Sequence, residues 1–198
     1  MTLNSLELDR IRELINIGTG KSASVLNKIV KSRVFLTVPN ITILSNDQFE
    51  KHHFGYNSEK LSTVTLNFKG EIVGKAEIVF PVDSAVKIVD LLTNSRYPRE
   101  EMDKLRSSTL NEVGNIVLNS LIGTISNILK IRFKYTIPLY SEISDKQLHE
   151  NYNKYKSDII LAETKFSVKE SNIEGTFLLF FELDSFDEFV NRLSAFNA

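Results

Sequence analysis

The sequence predicts an α+β fold in which two helix-strand-strand-strand-helix units, related by a pseudo-two-fold, share one mostly antiparallel sheet with long helices packed on it. Three observations carry this. A polar pattern is written twice, Asp9, Glu13, Asn16 and Pro39 recurring as Ser108, Glu112, Asn115 and Pro138 at a constant offset of 99 residues. With Glu and Asn each near one position in twenty and proline near 5%, a second match at fixed spacing arises by chance on the order of once in ten thousand. The hydrophobic period also changes from 3.6 to 2 and back in the same order in each half. Finally, 198 residues suffice to bury a core without a disulfide or metal staple.

The elements follow in order. A first long helix places Ile11, Leu14, Gly18, Val25 and Ile29 on one side, the face expected to pack on the sheet. Val34, Leu36 and Val38 then alternate with Phe35 and Thr37 as a strand. A polar insert over 45–61 precedes Val64, Leu66 and Phe68, a Lys69-Gly70 turn and a strand over 72–80. Val82-Asp83-Ser84 opens an apolar-periodic segment to Leu92, with Asp or Ser as its N-cap. The second half repeats the order: a helix, a strand over 131–137, an insert over 141–157, strands over 159–168 and 173–183 with a turn at Ser171-Asn172, and a helix opened by Leu183-Asp184-Ser185 and running to Leu193. The two inserts differ most between the halves and are expected as loops or short helices. Three strands alone leave open edges, so the halves are expected to merge into one domain over 1–198, made of repeats at about 1–95 and 100–198. The segment 96–101, with Pro98, is the expected hinge.

Composition narrows the function. Basic and acidic residues number 24 and 25, with no long run of one sign, which argues against a nucleic-acid surface. There is no cysteine, hence no disulfide framework or thiolate zinc site. The N-terminus has neither a basic nor an apolar leader region, and no apolar stretch approaches the roughly 20 residues that span a bilayer. A cytoplasmic protein without membrane contact is expected.

On a helix, Glu and Asn three residues apart share a stripe, and the Asp or Ser four residues before Glu falls on it too. Asn is a mediocre helix former, so its return at the same place assigns work to the amide. A carboxamide both donates and accepts, which suits it to orienting water, while Glu can pair with a partner's lysine or act as a base. Asp9 and Ser108 are expected to cap or orient. Pro39 and Pro138 are expected to restrict the chain as it leaves a strand. Gly20 and Ala23 continue the first stripe with small side chains, and Asn119 and Ile122 stand at their places in the second.

These residues resemble the CheC, CheX and FliY phosphatases of bacterial and archaeal chemotaxis. The likeness rests on Glu13-Leu-Ile-Asn16-Ile-Gly-Thr-Gly and Glu112-Val-Gly-Asn115-Ile-Val-Leu-Asn-Ser, and two intact motifs resemble CheC or FliY more than the one-site CheX. The N-terminal CheY-binding segment and C-terminal switch domain of FliY-type chains are not expected here, since the first helix begins almost at once and the chain stops at Ala198. The resemblance implies hydrolysis of the aspartyl phosphate on a phosphorylated CheY-like response regulator. Asn16 or Asn115 would position the attacking water, and Glu13 or Glu112 would pair with the regulator's lysine. It implies no cofactor on this chain, with Mg²⁺ held by the regulator, and it names CheD as a further partner, the insert around 144–152 being the candidate contact. A non-catalytic module that binds a receiver domain or CheD in a chemotaxis or flagellar assembly uses the same stripe and stays open.

Weaker signals carry less. Gly18-Thr-Gly-Lys-Ser22 is no Walker A motif, because position 15 is Ile and a helix is already under way. His52 and His53 beside Glu50 read as a solvated loop rather than metal ligands, and His149 stands alone in the sequence. Tyrosines interleaved with lysines over 135–155 read as packing and snorkelling.

Overall fold

The first helix starts where Asn4 and Glu7 cap each other. Asn4 Oδ1 accepts the Glu7 backbone N–H and the Glu7 carboxylate accepts that of Asn4, each at 2.9 Å, satisfying two orphan donors at once. The computed structural model describes residues 3–30, 33–54, 59–93, 102–152, 159–168, 171–182 and 185–195. Its first half comprises α1 (Ser5–Val30), β1 (Val34–Leu44), α2 (Asn46–Glu50), β2 (Leu61–Gly70), β3 (Gly74–Pro81) and α3 (Val82–Thr93). The second comprises α4 (Met102–Leu129), β4 (Phe133–Tyr135), β5 (Leu139–Ile143), α5 (Asp145–Tyr152), β6 (Ile159–Val168), β7 (Ser171–Phe181) and α6 (Ser185–Ala195). The expected hinge lies outside the described residues.

All strands join one antiparallel sheet in the order β1-β6-β7-β3-β2-β4, with β5 also on β2. The hairpins β2-β3 and β6-β7 meet along β3 and β7. Each hairpin's outer strand is then covered by the first strand of the other half: β1 lies on β6, while β4 and β5 lie on β2. The first strands are therefore exchanged, and each half needs the other to cover its hairpin edge.

Register explains the repeated prolines. In β1 the pairing slips by one residue between Thr37 and Asn40, where Val38 and Pro39 face Thr164 alone. On the other side Phe68 pairs Tyr135 and Thr65 pairs Leu139, so Thr136, Ile137 and Pro138 face two residues. Both prolines stand at a one-residue bulge, where a missing N–H costs no ladder bond. This corrects the expected placement at strand exits. β1 continues through its bulge to Leu44, and the expected strand over 131–137 becomes β4 and β5 on either side of Pro138. Two hairpin turns also move: β2 keeps Lys69 and Gly70, and Ser171 and Asn172 are already paired in β7.

The sheet's alternation supplies two cores. Val64, Leu66, Phe68, Ile78, Phe177 and Leu179 join Leu14, Leu26, Val113, Leu118, Phe186 and Phe189 of the helices in the main core. Leu61, Val79, Leu161, Leu178 and Phe180 point to the opposite face and pack with Phe49 of α2 and Leu148 and Tyr152 of α5, Tyr152 lying flat on Phe180 at 3.6 Å. The inserts thus close the second face, and they match one another more than expected. Ser45 and Gln48 form a capping box, and Ser144 and Gln147 form the same reciprocal pair 99 residues later.

The expected cap of α3 differs, and Asp184, a candidate cap of α6, lies outside the described residues. β3 runs straight into α3, which puts Asp83 and Ser84 inside its first turn. Ser185 is buried, and its hydroxyl accepts the Val73 N–H at 3.1 Å, tying α6 to the β2–β3 turn. The far end of α6 is held by Arg10, which donates to the carbonyls of Leu193 and Ser194, a favourable place for a cation. Among the described residues no helix is long and apolar enough to cross a membrane.

Candidate functional site

α1 and α4 cross on the main-core face of the sheet, and the crossing is set by residue size. A Cβ on Gly18 would lie 2.8 Å from Leu121 Cδ1 and 3.0 Å from Leu121 Cα, so α1 touches α4 at its backbone there. The pseudo-symmetric contact is Ser22 with Val117. The buried Ser22 hydroxyl reaches its own helix at Gly18 O (2.9 Å) and α4 at Val117 O (3.2 Å). The glycine-rich stretch is therefore a helix-crossing device inside α1.

This crossing decides which faces remain outside. Ile11, Leu14, Ile15 and Leu26 are buried, whereas Asp9, Glu13 and Asn16 are exposed. On α4, Leu110, Val113 and Gly114 are buried, Ser108 and Glu112 exposed, and Asn115 half-buried. In both motifs the two residues between Glu and Asn face inward, so Glu and Asn flank a buried pair. Gly114 brings α4 closest to the sheet at this point: a Cβ there would fall 2.2 Å from Val64 Cγ1. Val25, expected inside, is exposed. Ala23, expected to continue the polar stripe, is buried, while Gly20 has open space around its Cα. The side chain of Ile29 lies outside the described residues.

The supporting residues separate the two motifs. Asp9 binds Arg12 at 2.8 Å, and the Ser108 hydroxyl donates to the Leu105 carbonyl at 3.1 Å. Both sit within helices, not at caps. Asn111, at the place of Arg12, accepts the Tyr140 backbone N–H at 2.7 Å and fastens α4 to β5. Beside it Arg106 meets Glu142 at 2.6 Å, and the Tyr140 hydroxyl donates to the same oxygen at 2.6 Å. Burial and that bond push the Tyr140 phenol up to about 12, and the Tyr140 hydroxyl together with Arg106 holds Glu142 below its usual value. The two amides also differ. Asn115 Oδ1 accepts from Asn119 Nδ2 at 2.5 Å, whereas among the described residues the Asn16 carboxamide makes no such bond and Gly20 occupies the place of Asn119. The sequence marks Asn119 as the larger residue standing where the first stripe has Gly20, whereas Gly114 and Asn111 were not singled out from it. Their signal was the difference between the two motifs at matched positions.

The histidines form a separate group. His149, alone in the sequence, lies between α2 and α5 against the Phe49 ring at 5.0 Å, with Nε2 3.6 Å from Asp145 Oδ1. His53 Nδ1 stands 3.9 Å from Asp145 Oδ2. Burial and the neighbouring His149 lower the pKa of His52. Among the described residues no set of three His, Cys, Asp or Glu side chains is placed to hold a metal ion.

No family model matches the chain. Curated relatives do. It is 27% identical over 135 residues to the CheY-P phosphatase CheC of Bacillus subtilis, covering 67% of this chain and 64% of that protein. It is 22% identical over 200 residues to the flagellar motor switch phosphatase FliY of the same species, covering 98% and 52%. The chain therefore spans less than two thirds of the length of either relative. In fold it matches Thermotoga maritima FliY with a TM-score of 0.75 at 18% identity over 98% of this chain and 99% of that one. The FliM middle domain of Helicobacter pylori matches at 0.63 and 13% identity over 96% and 99%. A chain of the CheX-CheY-BeF3-Mg complex of Borrelia burgdorferi matches at 0.53 and 19% identity over 87% and 99%. In sequence the chain is thus similar to CheC and FliY, and in fold to FliY, CheX and the FliM middle domain.

Proposed function

We propose that the chain is a phosphatase that hydrolyses the aspartyl phosphate of a phosphorylated CheY-type response regulator, at one site on α1 and another on α4. The observation that carries this reading is that Glu and Asn flank a buried pair on both helices, Glu13 and Asn16 exposed on α1, Glu112 exposed and Asn115 half-buried on α4. The relative named CheY-P phosphatase, and the CheX-CheY complex among the structural neighbours, support the substrate class.

The chemistry asks for positioning more than for a covalent intermediate. Each helix presents a rigid ridge, and the Asn carboxamide enters the regulator's site. Its carbonyl oxygen accepts a hydrogen bond from the attacking water and holds the water oxygen in line with phosphorus. Glu13 or Glu112 pairs with the regulator's lysine and fixes the register of docking. Water adds its oxygen to phosphorus, the bond to the aspartyl oxygen breaks, and phosphate leaves with the regulator's carboxylate restored. Mg²⁺ belongs to the regulator's acidic residues, and this chain supplies none of its ligands. Proton and charge stabilisation at the phosphoryl group come from the regulator, so two side chains per site suffice here.

The test uses the chain far below the concentration of a phosphorylated CheY-type receiver and follows phosphate loss. A catalyst clears many equivalents. A second reading, a receiver- or CheD-binding module without turnover, draws on the likeness to FliM middle domains, solved also in FliM-SpeE and FliG-FliM complexes. Protection or unchanged decay of the phosphorylated receiver in the same assay selects that reading.

A further inference from the structure

Resting on the reading of Asn115 as the amide that orients water, we propose that Asn119 is a positioning residue of the second site, fixing the Asn115 carboxamide before a receiver docks. The first site has no such device. Residues four apart on a helix lie on one face, and Asn119 Nδ2 donates to Asn115 Oδ1 at 2.5 Å. A flip of Asn115 alone would set its NH2 against that of Asn119, so the bond fixes which end of the amide points which way. The carbonyl oxygen has two lone pairs, one taken by Asn119 and one left for a water proton.

Asn119 is not placed for its own hydrogen bonding. Its Oδ1 is buried and makes no hydrogen bond among the described residues, an arrangement that opposes folding. The fold nonetheless keeps an amide there. At the matching place in the first half stands Gly20, where an added Cβ would meet nothing within 4 Å. Asn16 is exposed, and among the described residues no side chain fixes its carboxamide. Docking at the first site must therefore freeze an amide that the second site already holds in place, and the difference belongs to kcat more than to KM.

Steady-state phosphate release from a phosphorylated CheY-type receiver tests this in one-site proteins. In the Asn16→Ala protein, which keeps the second site, adding Asn119→Ala lowers kcat about tenfold and leaves KM within about twofold. In the Asn115→Ala protein, which keeps the first site, Gly20→Asn raises kcat. A measurement without receiver runs beside these: ¹⁵N relaxation gives the Asn115 side-chain amide a higher order parameter than that of Asn16, and Asn119→Ala brings the two level. Equal order parameters in the unmodified protein, or an unchanged or higher kcat on adding Asn119→Ala, overturn the proposal. A loss confined to KM overturns it as well. If the unmodified chain shows no turnover, or turnover survives Asn16→Ala with Asn115→Ala, the phosphatase reading fails instead, and the order parameters alone then decide the role of Asn119.

Discussion

α1 and α4 carry the same pattern and spend their small residues in different places. At the crossing α1 is small, with Gly18 and Ser22 set against Leu121 and Val117 of α4. At the sheet α4 is small, Gly114 resting on Val64 where α1 has the buried Ile15. Two helices related by a pseudo-two-fold cannot both present large residues at the axis they share, so the duplicated halves had to diverge there. The divergence reaches the exposed stripe. Gly20 leaves Asn16 open, and Asn119 ties down Asn115.

The largest expected effect removes both sites. Asn16→Ala with Asn115→Ala lowers receiver dephosphorylation by at least about 100-fold, as expected when the group that places the nucleophile is lost. The folded state is unaffected by circular dichroism. Each single change leaves the other site working, and Asn115→Ala costs more than Asn16→Ala. Equal losses would erase the functional asymmetry between the helices.

Much of this was legible before any coordinates. The 99-residue offset placed Glu13, Asn16, Glu112 and Asn115 on matched helices, and alternation marked most strands. Exchange of the first strands was not legible, because β1 pairs with β6 more than a hundred residues away and alternation carries no partner information. The inserts looked unrelated because their likeness lies in two capping residues each, Ser45 with Gln48 and Ser144 with Gln147. Pro39 and Pro138 were recognised as backbone devices, yet a bulge is a property of a pair of strands, not of one. The helix crossing hid for the same reason: Gly18 declares its purpose only beside Leu121.

The helical glycines sharpen the comparison in stability. Gly114→Ala drives a methyl group into Val64 and is expected to cost about 1–3 kcal/mol, the range of overpacked cores. Gly18→Ala meets Leu121 side chain and backbone at 2.8 and 3.0 Å and costs less than Gly114→Ala. Gly20→Ala enters open space and stabilises by about 0.5–1 kcal/mol through helix propensity. Urea denaturation midpoints rank the three. A destabilising Gly20→Ala would show that the first stripe is packed, contrary to its openness.

The capping boxes predict equality where the helices predict difference. Ser45→Ala and Ser144→Ala remove the same hydroxyl bond from α2 and α5, and each is expected to lower stability by about 1 kcal/mol. Their effects should add, since the two caps share no partner. A loss at one cap only would break the equivalence of the inserts, and thermal denaturation of the two single variants and the double measures it.

The smallest effects lie at the outer edge of β2, where the halves use different chemistry for one task. β5 holds α4 through Arg106, Glu142 and Tyr140, whereas the places of Tyr140 and Glu142 in β1 are Ile41 and Ile43. Only the second half should therefore titrate at this position. Glu142 is held below its usual range, so its contribution is present above the ordinary carboxylate value and lost as pH falls through the lowered one. Tyr140 is raised to about 12 from 10.0, so its contribution is present below pH 10 and lost as pH rises toward 12. Both groups are partly solvated, which keeps the effects small. Melting temperatures measured from acid to alkaline pH should show the unmodified chain losing part of its advantage over Glu142→Gln at the acid end and over Tyr140→Phe at the alkaline end. Variants that track the unmodified chain in parallel at both ends would mean that α4 is held by packing alone, as the apolar edge of the first half is.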